Sequence, residues 1–115
     1  MSGLELKRYQ GEALDALSDW LLETAASGDP DTAFYKQTHR AYRAVEGLNG
    51  VPYACLRVPT GGGKTLIAAH AIARVADTLL ATDSPCVIWL APSDAIVSQT
   101  YVALRDPSHP YRAAL

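Results

Sequence analysis

Three consecutive glycines followed by Lys64 and Thr65 are the feature that most constrains this chain. They stand between a short apolar run, Tyr53–Val58, and an alanine-rich stretch, Lys64–Thr82, whose apolar residues recur at helical spacing. The short run predicts a strand buried on both faces, and the long stretch predicts a helix. We therefore expect the glycines to form a strand-to-helix loop, because they permit backbone angles that other residues avoid.

The same order of elements recurs downstream of this loop. Cys86–Ala91 predicts a second buried strand, and Ala95–Arg105 predicts another helix. Strands alternating with helices, without a hairpin signal, indicate parallel strands joined by right-handed crossovers. Upstream, Leu6–Ala26 is an amphipathic helix, and a second helix begins near Asp31 or Thr32. We therefore expect an α/β fold, a parallel sheet with flanking helices, preceded by N-terminal helices.

Composition limits the class of protein. A chain of 115 residues makes one domain at most, and its 49% hydrophobic content indicates a globular chain. The net charge of −2 argues against a strongly basic nucleic-acid-binding module. No apolar run approaches the ~20 residues that span a bilayer, and the start lacks a secretory signal. Cys55 and Cys86 are expected to be buried reduced thiols in a cytoplasmic protein, and the alternative is a disulfide.

The glycine loop has the chemistry to hold a triphosphate. Backbone N–H groups along Gly61–Thr65 would converge on a phosphate, and the following helix would add the positive end of its dipole. The Lys64 ammonium would reach the β and γ oxygens, and the Thr65 hydroxyl would ligate Mg²⁺. The usual Walker A pattern begins with Gly where this chain has Val58. The alternative is a glycine-rich turn with a chance lysine.

The form Pro59-Thr-Gly-Gly-Gly-Lys-Thr65 resembles the phosphate loop of superfamily 2 helicases and translocases, in the branch that contains the restriction (Res) subunits of type III restriction enzymes. The resemblance implies a partial RecA-like P-loop NTPase domain that uses ATP and Mg²⁺. It assigns cofactor binding to Thr60, Gly61, Gly62, Gly63, Lys64 and Thr65, with Lys64 and Thr65 also catalytic and Thr65 contacting Mg²⁺ through ATP.

Two further segments carry the resemblance. Leu6-Lys-Arg-Tyr-Gln10 is similar to the element in which a glutamine recognises adenine, and a Gln amide matches adenine N6 and N7. Leu90–Gln99 is similar to motif Ia, which implies nucleic-acid contacts by Pro92, Ser93 and Gln99. The alternatives are a solvated helix start at Gln10 and an ordinary strand–turn–helix joint at Ser93.

The resemblance divides the chain into an N-terminal helical segment with the glutamine element, residues 1–50, and the first part of a helicase ATP-binding domain, residues 51–115. No Asp-Glu pair of a Walker B motif occurs in the sequence, so we expect a fragment cut before that motif that does not hydrolyse ATP alone. The intact parent would be an ATP-dependent DNA helicase or translocase, the restriction subunit of a type III-like system. Its partners would be double-stranded DNA and a modification (methylase) subunit.

Two other functions remain open from the residues. One is a P-loop nucleotide kinase or phosphotransferase, which would share the phosphate loop. The other is a truncated gene product without function.

Overall fold

The computed structural model describes residues 5–58 and 63–115. Within these ranges the chain forms five α-helices, and a π-helical turn at Ala76–Leu80 extends the third. The helices are α1 (Arg8–Ser27), α2 (Pro30–Thr38), α3 (Lys64–Val75), α4 (Asp94–Arg105) and α5 (Pro110–Ala113).

The predicted α/β fold with a parallel sheet is wrong for the described residues, which contain no strand. Tyr53–Val58 and Cys86–Ala91 run without sheet pairing, and Ile88 and Leu90 are 83% and 88% exposed. A short apolar run indicates a segment that is favourable to bury, but a strand also needs an adjacent strand whose backbone groups pair with its own. Since neither run has such a neighbour here, the RecA-like sheet expected from the resemblance is absent from this part of the chain.

The predicted burial of the two cysteines is also wrong. Cys55 and Cys86 belong to the expected strands, and both are free and exposed rather than buried. Their predicted burial depended on the sheet, so it was wrong for the same reason.

The helix predictions upstream and downstream of the glycines are largely confirmed. α1 ends at Gly28, whose φ of 73° is left-handed and whose N–H donates to Thr24 O at 2.8 Å. α2 begins one or two residues earlier than expected, with Asp29 accepting from Asp31 N at 3.0 Å. It ends at His39, which has a φ of 57°, although its apolar pattern continued to Leu48.

An aromatic cluster holds α1 and α2 together. Trp20, Leu21 and Ala33 are buried, and Phe34 and Tyr42 pack against them. The Trp20 indole N–H donates to the carbonyl of Pro30 at 3.0 Å, which fixes the ring within the cluster. The Trp20 ring meets the Phe34 ring edge-on, with centroids 6.0 Å apart. The cluster therefore gives α2 and Tyr42 a structural role.

α1 also packs against α3, and contacts near the start and further along both helices show that they run in the same direction. Gln10, near the start of α1, lies beside Gly63, which immediately precedes α3. Further along, Arg74 of α3 donates to Asp15 Oδ1 at 3.1 Å and to Ser18 Oγ at 2.9 Å. This packing sets the position of the first turn of α3.

Candidate functional site

The first turn of α3 carries the two side chains predicted to hold a triphosphate. Gly63 caps the helix with a φ of 74° and a ψ of 44°, and its carbonyl accepts from Ile67 N at 3.1 Å. Gly63 has no side chain that could accept a hydrogen bond from the first-turn N–H groups. The first N–H groups of an α-helix have no partner within the helix, and they lie at the positive end of the helix dipole. Pro59, Thr60, Gly61 and Gly62, four residues of the predicted phosphate loop, lie outside the described residues.

Lys64 and Thr65 open onto a cleft of about 690 Å³, which we call the α3 cleft. The Lys64 side chain is exposed and that of Thr65 is half-buried. Lys64 and Thr65 supply the ammonium and hydroxyl groups of this otherwise apolar lining, which also includes Ala68, Ile72, Val87–Pro92 and Ile96. The cleft therefore presents one cation, one hydroxyl and a helix start on an apolar wall.

The structure brings one part of the predicted nucleic-acid segment to this cleft. Pro92 lines it, and Ser93 follows directly as the N-cap of α4, where its Oγ accepts from Ile96 N at 3.3 Å. A hydroxyl that accepts this bond keeps its hydrogen for donation. Ser93 is exposed, so that hydrogen is accessible to a ligand.

Gln99 lies apart from the α3 cleft. It is exposed on α4 and lines a separate hollow of about 470 Å³ with residues that include Ser98, His109 and Tyr111. The structure therefore does not gather Ser93 and Gln99 into one site.

Gln10 lies beside the predicted phosphate loop, but its side chain is not open to solvent. It is 3% exposed, and its Oε1 accepts from Lys7 N at 2.8 Å. A Cβ added to Gly63 would collide with the Gln10 amide nitrogen. In this conformation Gln10 presents almost no surface to an adenine base.

Two features of the site were missed by the sequence reasoning. One is the contact between Gln10 and Gly63, which are 53 positions apart in the sequence. The glycine run indicates a place where another part of the chain can approach the backbone closely, but it does not indicate which residue does so. The other is Trp89, which lines both the α3 cleft and a neighbouring apolar hollow of about 430 Å³. Trp89 was assigned to a buried strand, so no surface role was expected of it.

His70 and Lys64, both on α3, differ in charge. Burial lowers the pKa of His70 below its usual 6.5, and the neighbouring Arg74 guanidinium lowers that pKa further. His70 is thus neutral at physiological pH, and the positive charge at the α3 cleft comes from Lys64.

The described part of the chain has neither a metal-binding cluster nor a membrane-spanning helix. Residues 5–58 and 63–115 contain no group of His, Cys, Asp and Glu arranged to hold a metal ion. Over the same ranges, no helix has the length and apolar character to cross a membrane.

Comparison with known proteins places the chain in a family. A family model described as the type III restriction enzyme, res subunit, matches residues 3–114. No match was found among curated proteins or among solved structures. The matched range leaves only three of the 115 residues outside it, two at the start and one at the end. The chain therefore belongs to the family of type III restriction enzyme res subunits.

Proposed function

We propose that this chain supplies the triphosphate-binding part of an ATP-dependent DNA helicase or translocase, the restriction subunit of a type III-like system. The observation that carries the proposal is the position of Lys64 and Thr65 in the first turn of α3, facing the α3 cleft. Membership of the res subunit family supports a helicase-like enzyme rather than a nucleotide kinase.

The groups at the α3 cleft suit Mg²⁺-bound ATP. The Lys64 ammonium would neutralise the terminal phosphates, and the N–H groups of the first turn would donate to an oxygen of the triphosphate. The Thr65 hydroxyl is a hard oxygen ligand of the kind that Mg²⁺ takes. The cleft volume of about 690 Å³ lies within the ~300–1,000 Å³ typical of small-molecule sites. In the intact enzyme, hydrolysis of the nucleotide would supply the free energy that drives movement on DNA.

Ser93 and the start of α4 form the proposed DNA contact. The Ser93 hydroxyl hydrogen is available for a phosphate oxygen, and Pro92 places it at the rim of the α3 cleft. Contacts of this kind position a protein on DNA without reading its sequence. Gln99, exposed on the same helix, would contact the backbone at a second point. A modification subunit remains a proposed partner on the basis of the family alone.

Isothermal titration calorimetry with MgATP tests the nucleotide site. Lys64→Ala should weaken binding by roughly ten- to a hundredfold, because it removes a charge-assisted hydrogen bond. Lys36→Ala is the matched control, since it removes an exposed lysine on α2 whose Nζ bonds Glu23 at 3.0 Å, away from the cleft. Equal affinity of wild type and Lys64→Ala would contradict the proposal.

A second pair of variants tests the Mg²⁺ contact. Thr65→Val should weaken binding when Mg²⁺ is present and have little effect when the ion is chelated, whereas Thr65→Ser keeps the hydroxyl and the affinity. Because the chain has no Asp-Glu pair, we expect binding without turnover. Phosphate release by the purified chain that Lys64→Ala abolishes would contradict this last expectation.

A further inference from the structure

Gln10 is held between the start of α1 and the residue that precedes α3. Its Oε1 accepts from Lys7 N at 2.8 Å, and the side chain is 3% exposed. Its amide carbon would lie 3.7 Å from a Cβ built on Gly63, and its amide nitrogen would lie closer still. The Gln10 amide therefore fills the space that the missing side chain of Gly63 leaves.

Gly63 in turn determines how α3 begins. Its φ of 74° is in the left-handed region, and its carbonyl receives the hydrogen bond from Ile67 N at 3.1 Å. A displacement of Gly63 would move the first turn of α3, including Lys64 and Thr65. Any group that packs against Gly63 thus acts on both side chains at once.

We propose that Gln10 is a positioning residue for the phosphate-binding turn: its buried amide packs against Gly63 and holds Lys64 and Thr65 in the orientation that binds a triphosphate. This inference rests on the proposed function. It assigns to Gln10 an effect on phosphate binding that does not depend on the base of the nucleotide.

The contact itself is tested without any ligand, by a double-mutant cycle in thermal or urea unfolding. Gly63→Ala should destabilise the wild-type chain more than it destabilises the Gln10→Ala chain, because the collision disappears when the amide is removed while the left-handed strain remains. Loss of the Lys7 hydrogen bond occurs in both Gln10→Ala chains and cancels. Strictly additive effects would overturn the proposal.

Gln37 provides the matched control for this cycle. Its Nε2 donates to Ala16 O at 2.8 Å, so Gln37→Ala also removes a glutamine that links two helices. In that background, Gly63→Ala should cost as much as it does in the wild type. A reduced cost there would mean that the cycle reports general destabilisation, and this would also overturn the proposal.

Binding measurements then separate positioning from recognition of the base. Gln10→Ala, at a temperature where circular dichroism shows it folded, should lose affinity for MgATP and for Mg²⁺-tripolyphosphate by the same factor, roughly fivefold. Gln37→Ala should keep the wild-type affinity for both. A loss confined to ATP would assign Gln10 to adenine and overturn the proposal, as would unchanged affinity for both anions.

The two proposals fail in different ways. If the wild-type chain binds neither anion, the proposed function is wrong and the positioning role is lost with it, while the double-mutant cycle still decides whether Gln10 and Gly63 are coupled. If the wild type binds both anions but the cycle is additive, only the role of Gln10 is wrong.

Discussion

Replacement of Trp20 by phenylalanine should remove a large part of the stability of this chain. Trp20 is 5% exposed, and its indole N–H donates to Pro30 O at 3.0 Å. Its ring centroid lies 6.0 Å from that of Phe34 and 5.9 Å from that of Tyr42. Phenylalanine keeps an aromatic ring there but has no donor and fills less volume.

The magnitude follows from these two losses. A buried hydrogen bond contributes about 1 kcal/mol, and the space left by the smaller ring costs about another 1 kcal/mol. The sum of about 2 kcal/mol is a large share of the ~5–15 kcal/mol that stabilises a domain. For a chain of this size it should lower Tm by about 8 °C.

Thermal unfolding followed by far-ultraviolet circular dichroism measures this effect. Trp89→Phe is the matched control, because Trp89 is half-buried in the wall of the α3 cleft, and its replacement should cost under ~1 kcal/mol. A Trp20→Phe chain as stable as the wild type, or a Trp89→Phe chain that loses as much stability, would refute the role of Trp20 in holding α1 and α2 together.

Two other predictions concern the helices. Gly11→Ala should stabilise the chain by about 0.5–1 kcal/mol, because Gly11 lies inside α1 with open space at its Cβ position. Gly28→Ala should destabilise the chain by about 1 kcal/mol, because Gly28 has a left-handed φ of 73°. Urea unfolding checks both, since the free energy of unfolding should rise in the first variant and fall in the second. Burial, and then the Arg74 guanidinium, lower the pKa of His70 below its usual 6.5. As the pH falls below that value, the unfolded chain takes up a proton at His70 more readily than the folded chain does. The contribution of His70 to the free energy of unfolding is therefore complete above that pH and is lost as the pH falls below it. Tm measured between pH 8 and pH 5 should fall less in His70→Gln than in the wild type; an equal fall in both chains would assign the effect elsewhere.

Local patterns predicted the helices well, because helix periodicity and capping depend on residues a few positions apart. The spacing of apolar residues in α1 and the cap residue Ser93 are signals of this kind, whereas the start of α2 was expected at Asp31 or Thr32 and its cap is Asp29. The strands at Tyr53–Val58 and Cys86–Ala91 were predicted wrongly, since an apolar run does not specify which segment pairs with it. Pairing is a property of the whole fold.

In the candidate site too, features that depend on nearby residues were predicted, and features that depend on helix packing were not. The place of Lys64 at the start of a helix followed from the glycines and the alanine-rich stretch behind them. The burial of Gln10 against Gly63 did not follow, because it depends on how α1 packs on α3, which no local pattern encodes. The separation of Gln99 from Ser93 likewise depends on which hollow each face of α4 meets.

The central claim is that the first turn of α3 binds the triphosphate of ATP. Amide chemical shifts in ¹⁵N-labelled chain, followed by nuclear magnetic resonance during titration with MgATP, test it residue by residue. The account predicts saturable shifts that are largest at Lys64 and Thr65, smaller at Ile96 across the α3 cleft, and absent at Lys36 on α2. Saturable shifts that leave Lys64 and Thr65 unchanged, or no shifts at any residue, would contradict it.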